Sequence, residues 1–178
     1  MQHAILTAIG ADRPGLVEEV SQFIFEHGGN IEDSRMVNLR GQFAMMVLLG
    51  ARDDVIARIR RDLPRLAEKS RLHTELRPAS AAPAEGQRPA AVGRAFQLKA
   101  SAMDQAGLVH RVAHLLRAMN VNIESLETHL SAAPISGAPV FEMELTLSVP
   151  HETPLGGLRD QLGKLCDELN IDWVLTAV

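Results

Sequence analysis

One sequence pattern occurs twice in this chain, and the repetition limits the possible folds more than any other feature. Asp12-Arg13-Pro14-Gly15-Leu16-Val17 returns as Asp104-Gln105-Ala106-Gly107-Leu108-Val109, 92 positions further on. In the same ungapped frame Val20, Asn30, Ile31 and Glu32 return as Val112, Asn122, Ile123 and Glu124. Apolar matches arise easily by chance. A matched aspartate, glycine and Asn-Ile-Glu run in one frame do not. The pattern reads as a tandem duplication whose period is too long for a solenoid, so each copy is a small domain. The expected division is 1–76, an Ala/Pro-rich linker over 77–94, and 95–178. Copies of this size lie near the lower limit for a self-sufficient core, which predicts that they pack together or form a homodimer.

Each copy carries the same order of elements. In the first, His3–Ile9 reads as a strand and Pro14–His27 as a helix, with Pro14 suited to a first helical turn. Leu16, Val17, Val20, Phe23 and Ile24 repeat at helical spacing, and Gly28-Gly29 stops the run. Asn30–Leu39 and Gln42–Leu49 form a hairpin around Arg40-Gly41. A second helix starts at Asp53-Asp54 and should end or kink at Pro64, with a further turn over Arg65–Lys69. Arg71–Leu76 closes the copy. The second copy repeats this as Ala95–Ala102, Gly107–Met119, Asn122–Leu130, Val140–Val149, Thr153–Leu169 and Asp172–Val178. Its hairpin loop, Ser131–Pro139, is long. The fold class is α+β: two ferredoxin-like βαββαβ domains in tandem, each an antiparallel sheet with both helices on one face.

The third strands of the two copies differ. Phe141, Met143, Leu145, Leu147 and Val149 alternate with Glu142, Glu144, Thr146 and Ser148, which describes a sheet with one wet face. Phe43–Leu49 is apolar on both faces. That predicts a cover of another sheet, from this chain or a second one.

Chemistry-bearing arrangements are scarce. No nucleophile elbow, phosphate loop, dinucleotide fingerprint or cysteine pair occurs, so no catalytic residue, metal or cofactor is expected. His110 and His114 lie one helical turn apart, but no glutamate accompanies them as in a zinc protease helix. Both fall on the solvent side. Cys166 sits among apolar neighbours and reads as packing. Net charge is −4, aromatics are 3% and tyrosine is absent. A broad nucleic-acid footprint and base stacking are therefore poorly supplied. Arg58, Arg60, Arg61 and Arg65 cluster on one helix, which reads as a solvated face. A single cysteine, no leader-like segment and no long apolar run lead to the expectation of a cytoplasmic protein with no membrane span.

The strand-to-helix turns remain. Each offers free backbone N–H groups at the positive end of a helix, where a small carboxylate would be stabilised. Asp12 and Asp104 could accept from an ammonium group, although capping the helix is the commoner role for such an aspartate. Asn30 and Asn122 could donate and accept at once, or act only as loop residues.

Asp12-Arg13-Pro14-Gly15-Leu16-Val17 with Gly28-Gly29-Asn30-Ile31 resembles an ACT domain. Ala8–Gly15 followed by Asn30-Ile31-Glu32-Asp33-Ser34-Arg35 resembles, more narrowly, the tandem-ACT family of glycine cleavage system transcriptional repressors. Gln105-Ala106 departs from the family pattern where Arg-Pro is expected. The resemblance implies a ferredoxin-like fold and a small amino acid, glycine or similar, bound where ACT domains meet. It also implies repression through a protein partner such as a transcriptional activator, with no direct nucleic-acid contact. Carried onto this sequence, the ligand-binding residues would be Gly10, Ala11, Asp12, Pro14, Gly15, Leu16 and Asn30. Their second-copy counterparts would be Asp104, Gly107 and Asn122. Two other roles stay open: a ligand-free interaction module, and an orphan regulatory subunit of an amino-acid enzyme.

Overall fold

A computed structural model describes residues 1–79, 93–134 and 136–178. Over them the elements run β1 (Gln2–Ala11), α1 (Leu16–Glu26), β2 (Asn30–Leu39), β3 (Gln42–Ala51), α2 (Asp53–Ser70) and β4 (His73–Pro78). The same order follows as β5 (Gly93–Met103), α3 (Leu108–Ala118), β6 (Asn122–Ala132), β7 (Pro139–Pro150), α4 (Leu155–Leu169) and β8 (Asp172–Ala177). The chain divides into two units, Met1–Gln87 and Arg88–Val178. Each holds a four-stranded antiparallel sheet, ordered β2-β3-β1-β4 and β6-β7-β5-β8. This is the ferredoxin-like arrangement, twice.

Period-two alternation decides which sheet face each helix pair covers. Ala4, Leu6 and Ala8 of β1 and Phe43, Met45, Val47 and Leu49 of β3 point one way and are buried. Leu16, Val20 and Ile24 of α1 recur every four residues and meet them. Val55, Ile56, Ile59, Leu63 and Leu66 of α2 complete that core. The second unit uses Phe96, Leu98, Ala100, Met143, Leu145 and Leu147 under Leu108, Val112, Leu116, Leu158 and Leu162. Each such buried aliphatic side chain contributes about 1.5–3 kcal/mol over an exposed one. The open faces of both sheets carry the alternate residues.

Pro64 does not end its helix: α2 runs unbroken through it to Ser70. Pro64 lies on the exposed side, where the carbonyl it leaves unpaired can turn to water, while buried Leu63 and Leu66 hold the helix on the sheet. Pro14 does not begin α1. It stands in a turn before the helix, whose N-cap is Gly15. Strands β6 and β7 also run further into the expected loop than the sequence predicts. The turn is closed by Ala133 N–H donating to the Ala138 carbonyl at 2.8 Å and Gly137 N–H to the Ala133 carbonyl at 2.9 Å. Of the expected linker, Arg77-Pro78 belongs to β4 and Gly93-Arg94 to β5, and Ala79 N–H still donates to the His3 carbonyl. Residues 80–92 of it lie outside the described residues, as does Ile135 of the hairpin loop.

Candidate functional site

Both strand-to-helix corners use one backbone turn. Gly15 has φ 93° and ψ −6°, and Gly107 has φ 92° and ψ 2°. These are third-position angles of a type II turn, which need positive φ and hence glycine. Pro14 precedes Gly15 at the position its ring favours; Ala106 does the same job without the ring. A Cβ on either glycine would meet nothing within 4 Å, so the glycines are required by conformation and the space beside them is open. Neither helix has a side-chain cap. The first-turn N–H groups of α1 and α3 are therefore available to an anion, with the helix dipole in support.

The side chains around the two turns differ. At the first, Asp12 N–H donates to the Gly41 carbonyl at 2.8 Å, and the Asp12 carboxylate accepts from the Asn38 amide. Asp12 thus ties the corner to the β2–β3 hairpin and caps no helix, which corrects the capping expectation. Arg13 makes two 2.8 Å bonds to Glu19, one turn into α1. That hydrogen-bonded guanidinium holds the Glu19 carboxyl below its usual range. Asn38 and Glu19 were not singled out from the sequence. A signal existed for Asn38: the tight Arg40-Gly41 turn and a central β3 set it opposite Phe43, which pairs with Gly10.

At the second corner Asp104 N–H donates to the Pro139 carbonyl at 3.0 Å, matching Asp12. The position of Asn38 is taken by Leu130, opposite Phe141, so the Asp104 carboxylate has no equivalent amide. Gln105 Nε2 instead donates to the Leu169 carbonyl at 3.0 Å, and Arg111 pairs with Glu168 at 2.7 Å. This corner is fastened to the end of α4.

The candidate residues fall into three groups. Ala11, Asp12, Pro14 and Gly15 surround the open turn and are exposed. Gly10 is half-buried; a Cβ there would lie 2.8 Å from Leu72 Cδ2 and 3.1 Å from the Arg71 carbonyl, so close packing by itself requires the glycine. Leu16 is 1% exposed and Leu108 3%, which leaves only their backbone to a ligand. Asn30 stands apart. It pairs with Gly50, which pairs with His3, whereas Gly10 pairs with Phe43. Within one unit Asn30 and the corner therefore lie at opposite ends of the sheet, roughly 23 Å apart along β1. Asn122, opposite Ser148, is equally remote from Asp104 and Gly107.

The shared Asn-Ile-Glu run has a structural consequence in both units. The register slips between Ile31 and Asp33 and between Ile123 and Ser125, a β-bulge at Glu32 and at Glu124. Glu32 pairs with His3 at 3.1 Å, and a Cβ on Gly50 would collide with its carboxylate. Glu124 accepts from Asn122 at 2.7 Å.

Residues 2–77 match the family model of the ACT domain, and the βαββαβ order with β3 central agrees with it. The first unit belongs to the ACT-domain family, and the second repeats its order of elements. The chain's tandem ACT organisation resembles the glycine cleavage system transcriptional repressor of Escherichia coli strain K12, 27% identical over 176 residues, which span 99% of this chain and 90% of that protein. A solved structure of a candidate glycine cleavage system transcriptional repressor has a TM-score of 0.72 at 26% identity, over 99% of this chain and 97% of the other. UPF0237 protein MK1213 of Methanopyrus kandleri is 41% identical over 71 residues, covering 39% of this chain and 79% of that protein.

Elsewhere the ACT domains carry structural polar groups. His27 hydrogen-bonds the Phe23 carbonyl at 2.7 Å and lies 3.1 Å from Asp62 Oδ2, joining α1 to α2. Arg58 and Arg61 of the arginine cluster bond Asp54 and Asp62. Cys166 is 1% exposed, and burial pushes its thiol up to about 11. His110 and His114 are exposed with ring centroids 6.1 Å apart, and no group of three or more potential metal ligands occurs among the described residues. Among those residues no helix is long and apolar enough to cross a membrane.

Proposed function

We propose that this chain is a non-enzymatic, amino-acid-responsive regulator. The observation that carries the reading is the first corner: an uncapped helix N-terminus beside open space, with the Asp12 carboxylate held next to it by Asn38. A zwitterion has the matching chemistry. Its carboxylate meets the amides of the turn and its ammonium group meets Asp12. The open space around Gly15 lets a ligand approach the backbone, and glycine or a similarly small amino acid is the ligand the family resemblance suggests. Asn30 joins such a site only from a facing copy, because its own corner lies at the other end of the sheet. A second ACT domain would then complete the site, as the family resemblance implies. Binding there shifts the packing of the copies by its differential affinity for two arrangements.

The resemblance to glycine cleavage system transcriptional repressors supports a downstream role. We carry over repression of glycine-cleavage genes, exerted in the cytoplasm through a protein partner such as a transcriptional activator. The net charge of −4 supports action without direct nucleic-acid contact. For the second copy a ligand-free role is favoured by Gln105 and Arg111, which tie that corner to α4.

Titration calorimetry of the full chain against the common amino acids tests the reading. Saturable heat with a small amino acid, lost in Asp12→Asn and in Asn30→Ala, is expected. No heat with any of them overturns it. Capture of partners with and without glycine then tests the regulatory step.

A further inference from the structure

We infer that the open face of the first sheet is an interface for a second copy of itself, packed face to face about a two-fold axis parallel to the strands. This surface is separate from the amino-acid corner.

The face is apolar along its middle and charged along its sides. Cross-strand pairing lays out one row as Asp33, Leu48, Ile5 and Arg77. The next row reads Arg35, Met46, Thr7 and Glu75. A third places Val37, Ala44, Ile9 and His73 side by side, so that Val37 would face His73 across the axis. Ile9 is 50% exposed, Met46 53% and Val37 53%. Contiguous apolar surface of this kind marks an interaction site.

The charges specify the occupant. A two-fold axis along the strands lays β2 over β4 of the second copy without changing the row. Asp33 then faces Arg77 and Arg35 faces Glu75, twice each by symmetry. In the centre Leu48 meets Ile5, Met46 meets Thr7 and Ala44 meets Ile9. A two-fold axis across the strands would also match the charges, but it sets Ile9 and Val37 against the His3–Glu32 pair at the far end. The open face of the second sheet is a poor cover. It presents Glu127, Glu142, Glu144 and Asp172 against Lys99 and His129, and would strand carboxylates on Met46 and Leu48. Aligned sheets pack about 10 Å apart, within the reach of arginine at the rim. The face is four strands wide, so its footprint is roughly 15 Å by 20 Å. That is below the size of a standard specific interface, so the association is weak and transient.

Sedimentation velocity on the full chain, from low micromolar to submillimolar concentration, tests this. A reversible monomer–dimer equilibrium is expected. Met46→Glu, at a position exposed in the single copy, should weaken it at least tenfold with circular dichroism unchanged. Asp33→Arg with Arg35→Asp keeps the net charge and the pairing within β2, yet should weaken the dimer. Adding Glu75→Arg with Arg77→Glu should restore it. A monomer at every concentration, a dimer indifferent to Met46→Glu, or one indifferent to the β2 exchange overturns the inference.

Discussion

The two corners share a backbone and differ in what fastens them. At Gly15 the turn is tied inward, by Asp12 to Asn38 on the adjacent hairpin and by Arg13 to Glu19 on its own helix. At Gly107 it is tied across the unit, by Gln105 to the Leu169 carbonyl and by Arg111 to Glu168. The turn needs only a glycine with positive φ, so duplication preserves it at low cost. The polar groups around it depend on partners far away in sequence and have diverged. A fold can therefore be kept twice while one copy alone retains the charge arrangement that suits a zwitterion.

The shared turn can be broken symmetrically. Gly15→Val and Gly107→Val each force a β-branched residue to φ near 90° and should cost their own unit about 2 kcal/mol. Differential scanning calorimetry should show similar losses, although only the first change should abolish amino-acid binding. Unequal losses would mean that the turns are not equivalent.

Alkaline pH should separate the units next. The buried Cys166 thiol is held up at about 11 by desolvation and then by Asp167. Below about pH 8.5 folded and unfolded chains both keep that proton. Above it the unfolded chain loses the proton first, so stability falls as pH rises towards the folded value. Urea unfolding should show this decline in the second unit and its absence in Cys166→Ala, whose stability starts lower because of the cavity.

The divergence itself can be exchanged. Asn38→Leu copies the second corner into the first and frees Asp12. Amino-acid affinity by calorimetry should fall about tenfold, equivalent to ~1.4 kcal/mol. Leu130→Asn should give Asp104 the amide it lacks. Unchanged affinity in Asn38→Leu would show that Asp12 needs no positioning.

The smallest effect is expected where His27 and Asp62 join α1 to α2 in the first unit. Hydrogen bonds from Arg61 and then His27 hold the Asp62 carboxyl well below the usual carboxylate range. Its contribution is complete above about pH 4 and is lost as pH falls towards the folded value. Asp62→Asn should lower the melting temperature slightly at neutral pH, and the difference should vanish in strong acid.

Element order and most boundaries were legible because burial imposes periods of two and about four on local sequence. Pro64 misled because a local rule for breaking helices was overridden by burial of Leu63 and Leu66. Pro14 misled because two residues can satisfy either a helix start or a type II turn, and the conformation of Gly15 decides between them. Asp12 resembles a helix cap in the sequence because its partner, Asn38, is brought alongside only by strand pairing.

By itself the sequence determined the duplication, the βαββαβ order of each copy, the two glycine turns and the alternation that gives each sheet a buried face. These depend on residues a few positions apart, whose geometry is set by covalent connection and local periodicity. Only the tertiary structure decided that Asn38 holds Asp12, that Gln105 reaches α4, and that Asn30 stands at the opposite end of the sheet from the corner it was grouped with. Those relations join residues through strand register and helix packing, and a one-residue change in register would have undone each of them.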